Sequence, residues 1–184
     1  MSGGVDSTVA ALLLKEQGYE PVGITLLLNP RENAADPRQT WCGMDTASSA
    51  AAAARQLGIP HEVIDCRSRF IEEVLRSCWD AFARAQTPNP CVLCNARIRF
   101  GAMLAFVREQ GGDLVATGHY ARRATDAAGH PVLSRGVDSH KDQSYFLYAI
   151  PDEILSHVLF PLGEMTKPQV RAIAAEHGLL NATR

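Results

Sequence analysis

The chain has 184 residues, 46% of them hydrophobic and 21% charged, with a formal net charge of −2. This is globular composition, which excludes a disordered, collagen-like or coiled-coil chain, and the length suits one α/β-sized domain whose core needs no staples. No apolar run approaches the roughly 18 residues of a membrane span, and Met1 opens into Ser-Gly-Gly with no basic, apolar leader, so neither export nor a membrane role is expected. Five cysteines are odd in number and scattered, which points to a reducing cytoplasm rather than a disulfide scaffold. The net charge hides a split: residues 1–66 hold four Lys/Arg against eight Asp/Glu, and residues 76–135 hold eight Arg against four Asp/Glu. A polyanion could be drawn to the second half, although a solvated surface of mixed sign explains the same counts.

In chain order, an apolar stripe through Val9, Leu12 and Leu13 predicts a helix over 7–17, stopped by Gly18. Residues 21–28 read as a buried strand ending at Asn29-Pro30, and 29–41 as a loop. Asp45 or Thr46 is expected to cap an Ala-rich helix ending near Leu57. A strand at 61–66 precedes a helix over 70–85, a non-helical Thr87-Pro-Asn-Pro90, and a helix over 94–110. Asp113–Thr117 reads as a third strand. Residues 124–143 read as a hairpin or extended excursion, and helices are expected near 151–157 and 167–177. Alternating strands and helices predict an α/β, doubly wound parallel sheet, whose ligands gather at the carboxyl ends of the strands. Such a fold normally opens with a strand, whereas here the loop and helix stand at residue 1; the first strand is expected ahead of Met1.

Ser2-Gly3-Gly4-Val5-Asp6-Ser7 carries the sharpest chemistry. Two glycines permit a tight turn and close approach to a ligand, and the free N–H groups of the helix start form an anion site. The loop is neither a Walker loop nor G-x-G-x-x-G. A plainer reading has Asp6 merely capping the helix. In Thr87-Pro-Asn-Pro-Cys91-Val-Leu-Cys94-Asn95, two prolines stiffen the approach and a Cys-x-x-Cys sits at a helix start, where the macrodipole favours a thiolate. A redox pair, a zinc site lacking its other two ligands, and two inert buried thiols are the competing readings.

SGGVDS resembles the pyrophosphatase loop of the ATP pyrophosphatase superfamily. TPNPCVLCN, Ala116-Thr-Gly-His-Tyr-Ala-Arg122, Asp138-Ser-His-Lys-Asp-Gln-Ser-Tyr-Phe-Leu-Tyr148 and Phe160-Pro-Leu-Gly-Glu with Lys167-Pro-Gln-Val-Arg171 resemble, in order, stretches of the bacterial tRNA-specific 2-thiouridylase (MnmA) family. The likeness runs over residues 1–184. It implies a Rossmann-like, adenine-nucleotide α-hydrolase-like fold and one ATP-dependent thiolation domain, without the family's central and C-terminal domains. The implied reaction is adenylation of the C2 oxygen of a wobble uridine in tRNA, followed by displacement of AMP by a persulfide sulfur.

By the same resemblance, ATP is bound by Ser2, Gly3, Gly4, Val5, Asp6, Ser7, Leu26 and Gly118, with Asp6 also placing Mg2+. Cys94 is the implied nucleophile and Cys91 its companion, at a position where relatives carry Asp or Cys. With Cys at both positions, an iron–sulfur cluster on Cys91 and Cys94 is a further expectation. Asn89, Pro90 and Cys91 would border the flipped base, and His119, Lys141, Asp142 and Gln143 would face tRNA. The partners implied are tRNA and a persulfide donor such as a cysteine desulfurase or sulfur relay protein. Chain stops at Arg184, ahead of the family's second cysteine, so Cys42 is the best stand-in and Cys78 reads as core. Two alternatives stay open: an ATP pyrophosphatase acting on a small molecule, and a nucleotide-binding module without turnover.

Overall fold

The structure, a computed structural model, describes residues 1–28 and 44–182. The expected loop at 29–41 and Cys42 lie outside them. Helix α1 (Val5–Glu16) buries Val5, Val9, Ala10, Ala11, Leu12 and Leu14 and ends ahead of Gly18 at φ +87°. Strand β1 (Gly23–Leu27) follows, then α2 (Met44–Leu57) and β2 (His61–Asp65).

The next helix starts at Arg67, three residues earlier than its apolar pattern suggests, because the Asp65 carboxylate accepts the Arg67 N–H and turns the chain straight out of β2. It comprises α3 (Arg67–Phe70), a π-turn at Ile71–Leu75 and α4 (Arg76–Ala83). The cysteine-bearing helix has the same build: α5 (Pro90–Cys94), a π-turn at Asn95–Arg99 and α6 (Phe100–Glu109). Its start at Pro90 rather than Cys94 has a local cause. Asn89 caps it, and proline at the first position has no N–H to lose. As a whole, Pro90–Glu109 is 20 residues long and apolar enough to cross a membrane by length and composition, contrary to the reading of the sequence. Here its apolar side, with Ile98, Phe100, Met103 and Leu104, is buried in the core.

Strands β3 (Val115–Ala116), β4 (Ala121–Thr125) and β5 (Pro131–Arg135) precede α7 (Asp152–Leu155), β6 (Val158–Leu159) and α8 (Lys167–Glu176). β4 and β5 form the expected hairpin, turning at Gly129 but beginning three residues before the expected boundary. The remaining strands pair in parallel, β1 with β2 from Gly23↔His61 to Leu27↔Asp65, and β3 with β6 at Val115↔Val158. The architecture is therefore α/β with parallel strands, as expected, in two separate two-stranded ladders rather than one continuous sheet. Ile24, Leu26 and Ile64 from the first ladder and Val115 and Val158 from the second pack in one cluster with Phe100, Met103 and Leu104 of α6. A second cluster joins α1, α2 and α8, and a third holds Leu28, Cys66, Val74, Cys78, Cys94 and Ile98.

Candidate active site

The first turn of α1 has an open face. Gly4 is the N-cap and no side chain caps the turn, so its N–H groups are left for an outside acceptor. The Ser2 and Ser7 hydroxyls lie 3.2 Å apart, and Ser7 and Thr8 both donate to the Gly4 carbonyl at 3.1 and 3.0 Å. Gly3 takes φ +67°, and a Cβ there would sit 2.5 Å from Ser49 Cβ, so only glycine lets the loop lie against α2. Gly118 supplies a second close approach: a Cβ would meet the backbone of Asp6 and Ser7 at 2.8–3.0 Å. Gly118 thus brings the segment after β3 directly against the glycine loop.

Asp6 does not cap the helix. Its carboxylate is held by Lys167 Nζ at 2.6 and 2.7 Å and by the Tyr120 hydroxyl at 2.8 Å. Burial, and then the bond to Asp6, push the Tyr120 hydroxyl's pKa far up, so it stays a donor. Lys167, at the first position of α8, is in turn fixed by its backbone N–H donating 2.8 Å to Asp138. Asn181 closes the loop from behind, donating to Gly3 O at 3.2 Å and Thr8 Oγ1 at 2.7 Å. Sequence reasoning gave no role to Tyr120, Lys167 or Asn181; the first two lie inside quoted stretches, yet nothing local says that they meet Asp6 across up to 161 residues.

The other expected residues join this centre through a hydrogen-bond chain. Tyr120 and Gln143 exchange bonds: the Tyr120 N–H donates to Gln143 Oε1 at 3.1 Å, and the Gln143 N–H to Tyr120 O at 2.9 Å. Phe146 N–H donates to Gln143 O, and its own carbonyl accepts 2.9 Å from Asn95 Nδ2, next to Cys94. Asp142 accepts the N–H groups of Gly136 and Ser144 and the Ser144 hydroxyl; burial pulls its pKa up, and these donors pull it below the usual range. Lys141 is exposed. Leu26 is half-buried on β1 beneath the core cluster.

His119 sits over Phe100 with ring centroids 6.1 Å apart, and its Nδ1 is 2.9 Å from Thr117 Oγ1. Burial, and then the Arg99 charge, push its pKa down to about 3. At neutral pH it is therefore a neutral hydrogen-bonding ring, not a cation. Since the folded pKa lies below the ordinary 6.5, an unfolded chain takes up this proton first, and stability falls as pH drops from about 6.5 toward 3. Urea melts at pH 7 and pH 5 are expected to differ by up to about 2 kcal/mol more in the parent than in His119→Gln, His61 acting the same way in both.

At the cysteine helix, Asn89 Oδ1 accepts the N–H groups of Cys91 and Val92 at 3.1 and 3.3 Å. Cys91 is exposed and Cys94 is 7% exposed, in a cluster with Cys66 and Cys78. Burial pushes the Cys66 and Cys78 thiols up, so neither is primed as a thiolate, and Cys78 is core as expected. No three His, Cys, Asp or Glu side chains converge as metal ligands among the described residues. Two cysteines alone do not fit an iron–sulfur cluster, and an ammonium on both Asp6 oxygens does not fit an Asp6-held Mg2+.

A family model described as "tRNA methyl transferase HUP domain" matches residues 1–184. Among curated proteins, tRNA-specific 2-thiouridylase MnmA of Moorella thermoacetica is 49% identical over 181 residues, 97% of this chain and 51% of that protein. The namesake from Thermus thermophilus is 48% identical over 191 residues, covering 100% and 51%, and that from Deinococcus radiodurans 44% identical over 184, covering 100% and 48%. The chain spans about half the length of these relatives. A crystal structure described as a predicted subunit of tRNA methyltransferase from Methanocaldococcus jannaschii aligns with TM-score 0.51 at 19% identity, over 95% of this chain and 72% of that one. That likeness bears on the fold alone.

Proposed function

Because the chain belongs to the tRNA methyl transferase HUP domain family, we propose that it is the ATP-dependent thiolation domain of a tRNA 2-thiouridylase, working in the cytoplasm on a wobble uridine. Supporting this reading above all is the hydrogen-bond chain from the glycine loop to the cysteine helix, through Asp6, Tyr120, Gln143, Phe146 and Asn95. It ties a phosphate-type loop to a Cys-x-x-Cys.

In this reading the uncapped N–H groups of α1 and the Ser2 and Ser7 hydroxyls hold the ATP polyphosphate, with Gly3, Gly4, Val5 and Gly118 giving it room and Leu26 under the adenine. Lys167, pinned by Asp6 at the edge of the loop, balances charge as pyrophosphate departs. The uridine C2 oxygen attacks the α-phosphorus, the bond to pyrophosphate breaks, and C2 then carries AMP as its leaving group. Outer sulfur of a persulfide attacks C2 and AMP departs. The Cys94 thiolate takes the inner sulfur as a disulfide, which leaves the outer sulfur on the base. Cys91 stands exposed at the entrance. Asn89 and Pro90 border the flipped base, while Lys141, Asp142, Gln143 and neutral His119 meet the tRNA strand. The persulfide arrives on a donor protein. Cys42 lies outside the described residues and remains the best stand-in for a second cysteine.

The test supplies ATP, Mg2+, a tRNA with uridine at the wobble position and a persulfide donor, and follows retardation of the product on a mercury-containing gel. ATP-dependent retardation with equimolar AMP is expected. Pyrophosphate release that needs a small carbonyl compound and ignores tRNA would instead select the small-molecule reading.

A further inference from the structure

The helix that bears the cysteines has a second functional face. At about 100° per residue, Asn89, Val92 and Leu93 fall on one side of α5 and Cys91 and Cys94 on the other. The first side lines a cavity of about 360 Å3, with Val92 and Leu93 as its apolar wall and Ser77, Asp80, Arg84, Arg97 and Tyr148 as its polar rim. That volume admits one nucleotide. Arg97 is fixed in place by donating to Glu73 O and Ser77 Oγ, both at 2.8 Å. Among the described residues no hydrogen bond or ion pair engages the Arg84 side chain. Tyr148 is 67% exposed and begins an aromatic row, its ring centroid 6.1 Å from that of Tyr145, itself 65% exposed. Large aromatic faces left in water beside an unpaired guanidinium group are the recognition chemistry of an unstacked base and its phosphate.

We propose that this cavity is a subsite for one nucleotide of a single-stranded RNA segment, other than the nucleotide attacked, with its base stacked on Tyr148 and its phosphate on Arg84. The inference rests on the RNA-directed reading above and adds the place where a neighbouring base is held. Asn89, whose side-chain oxygen caps the cysteine helix, also lines this subsite.

Anisotropy titration of the chain with a fluorescein-labelled hexauridylate, without ATP or sulfur donor, tests it. Tyr148→Ala and Arg84→Ala should each weaken binding about tenfold, and Tyr148→Phe should bind within about twofold of the parent. The slope of log Kd against log salt should become shallower by about 0.7 in Arg84→Ala. Neither truncated side chain makes a hydrogen bond or ion pair, and Tyr148 is 67% exposed, so circular dichroism should be unchanged. Absent oligonucleotide binding, equal affinity in the parent and Tyr148→Ala, or free UMP competing as well per nucleotide as the strand, would overturn the proposal. Equal affinity together with intact thiolation sinks the subsite alone. Weakened binding in the variants without thiolation under any donor sinks the thiolation reading alone.

Discussion

An Asp6→Ala chain is expected to release pyrophosphate roughly 10²–10³-fold more slowly than the parent, a loss of the size seen when one group that stabilises charge in a transition state is removed. The cause is positional. Asp6 holds Lys167 at 2.6 Å and Tyr120 at 2.8 Å, and without it the ammonium has no anchor beside the loop. Tyr120 is 2% exposed, so its hydroxyl would be left buried without an acceptor, at a cost of about 1–3 kcal/mol in stability. Asp6→Asn keeps an acceptor for Tyr120 and should recover much of that stability without recovering the rate. Coupled pyrophosphate detection and urea melts on both variants check the two halves. An Asp6→Ala chain with the parent's rate would remove the phosphate-loop assignment.

Cys94→Ser separates the two chemical steps. Thiolated tRNA should fall below about one thousandth of the parent's yield, because an alcohol with an ordinary pKa near that of water cannot take sulfur from a persulfide. Pyrophosphate release during a single adenylation should stay within about twofold, since the loop of Ser2–Ser7 reaches Cys94 only through the side chains between them. Cys91→Ser, at an exposed position, should leave a measurable thiolation rate. Undiminished thiolation in Cys94→Ser would refute its role, and the small-molecule reading predicts that very indifference.

How far the sequence showed all this depends on whether a signal was local. Glycine and proline punctuation placed α1, β1, α2 and β2 within a few residues, because a turn or a cap is decided by neighbours in the chain. β6 was missed, since two residues carry no period and their strand exists only by pairing with Val115–Ala116. The π-turns escaped for a related reason: a one-residue change of helical register has no residue signature. Among site residues, the glycine loop and the Cys-x-x-Cys were legible as backbone freedom and thiol spacing. Lys167 was not, because its meaning lies in a carboxylate at the other end of the chain.

The two π-turns lie against each other, and arginines from the two helices tie them together. A wide turn leaves main-chain carbonyls without their usual partner. Arg97, inside one turn, donates to the carbonyl of Glu73 in the other, while Arg69 donates back to the carbonyl of Arg97 at 3.1 Å. Neither extra residue can be trimmed alone. Excising one from Asn95–Arg99 would swing the whole Cys91–Cys94 segment by about a third of a revolution relative to Phe100, and would remove the Arg97 donor from Glu73 as well. The paired irregularities behave as a clasp that indexes the thiols against the rest of the molecule, and a shortened homologue should have lost both of them together.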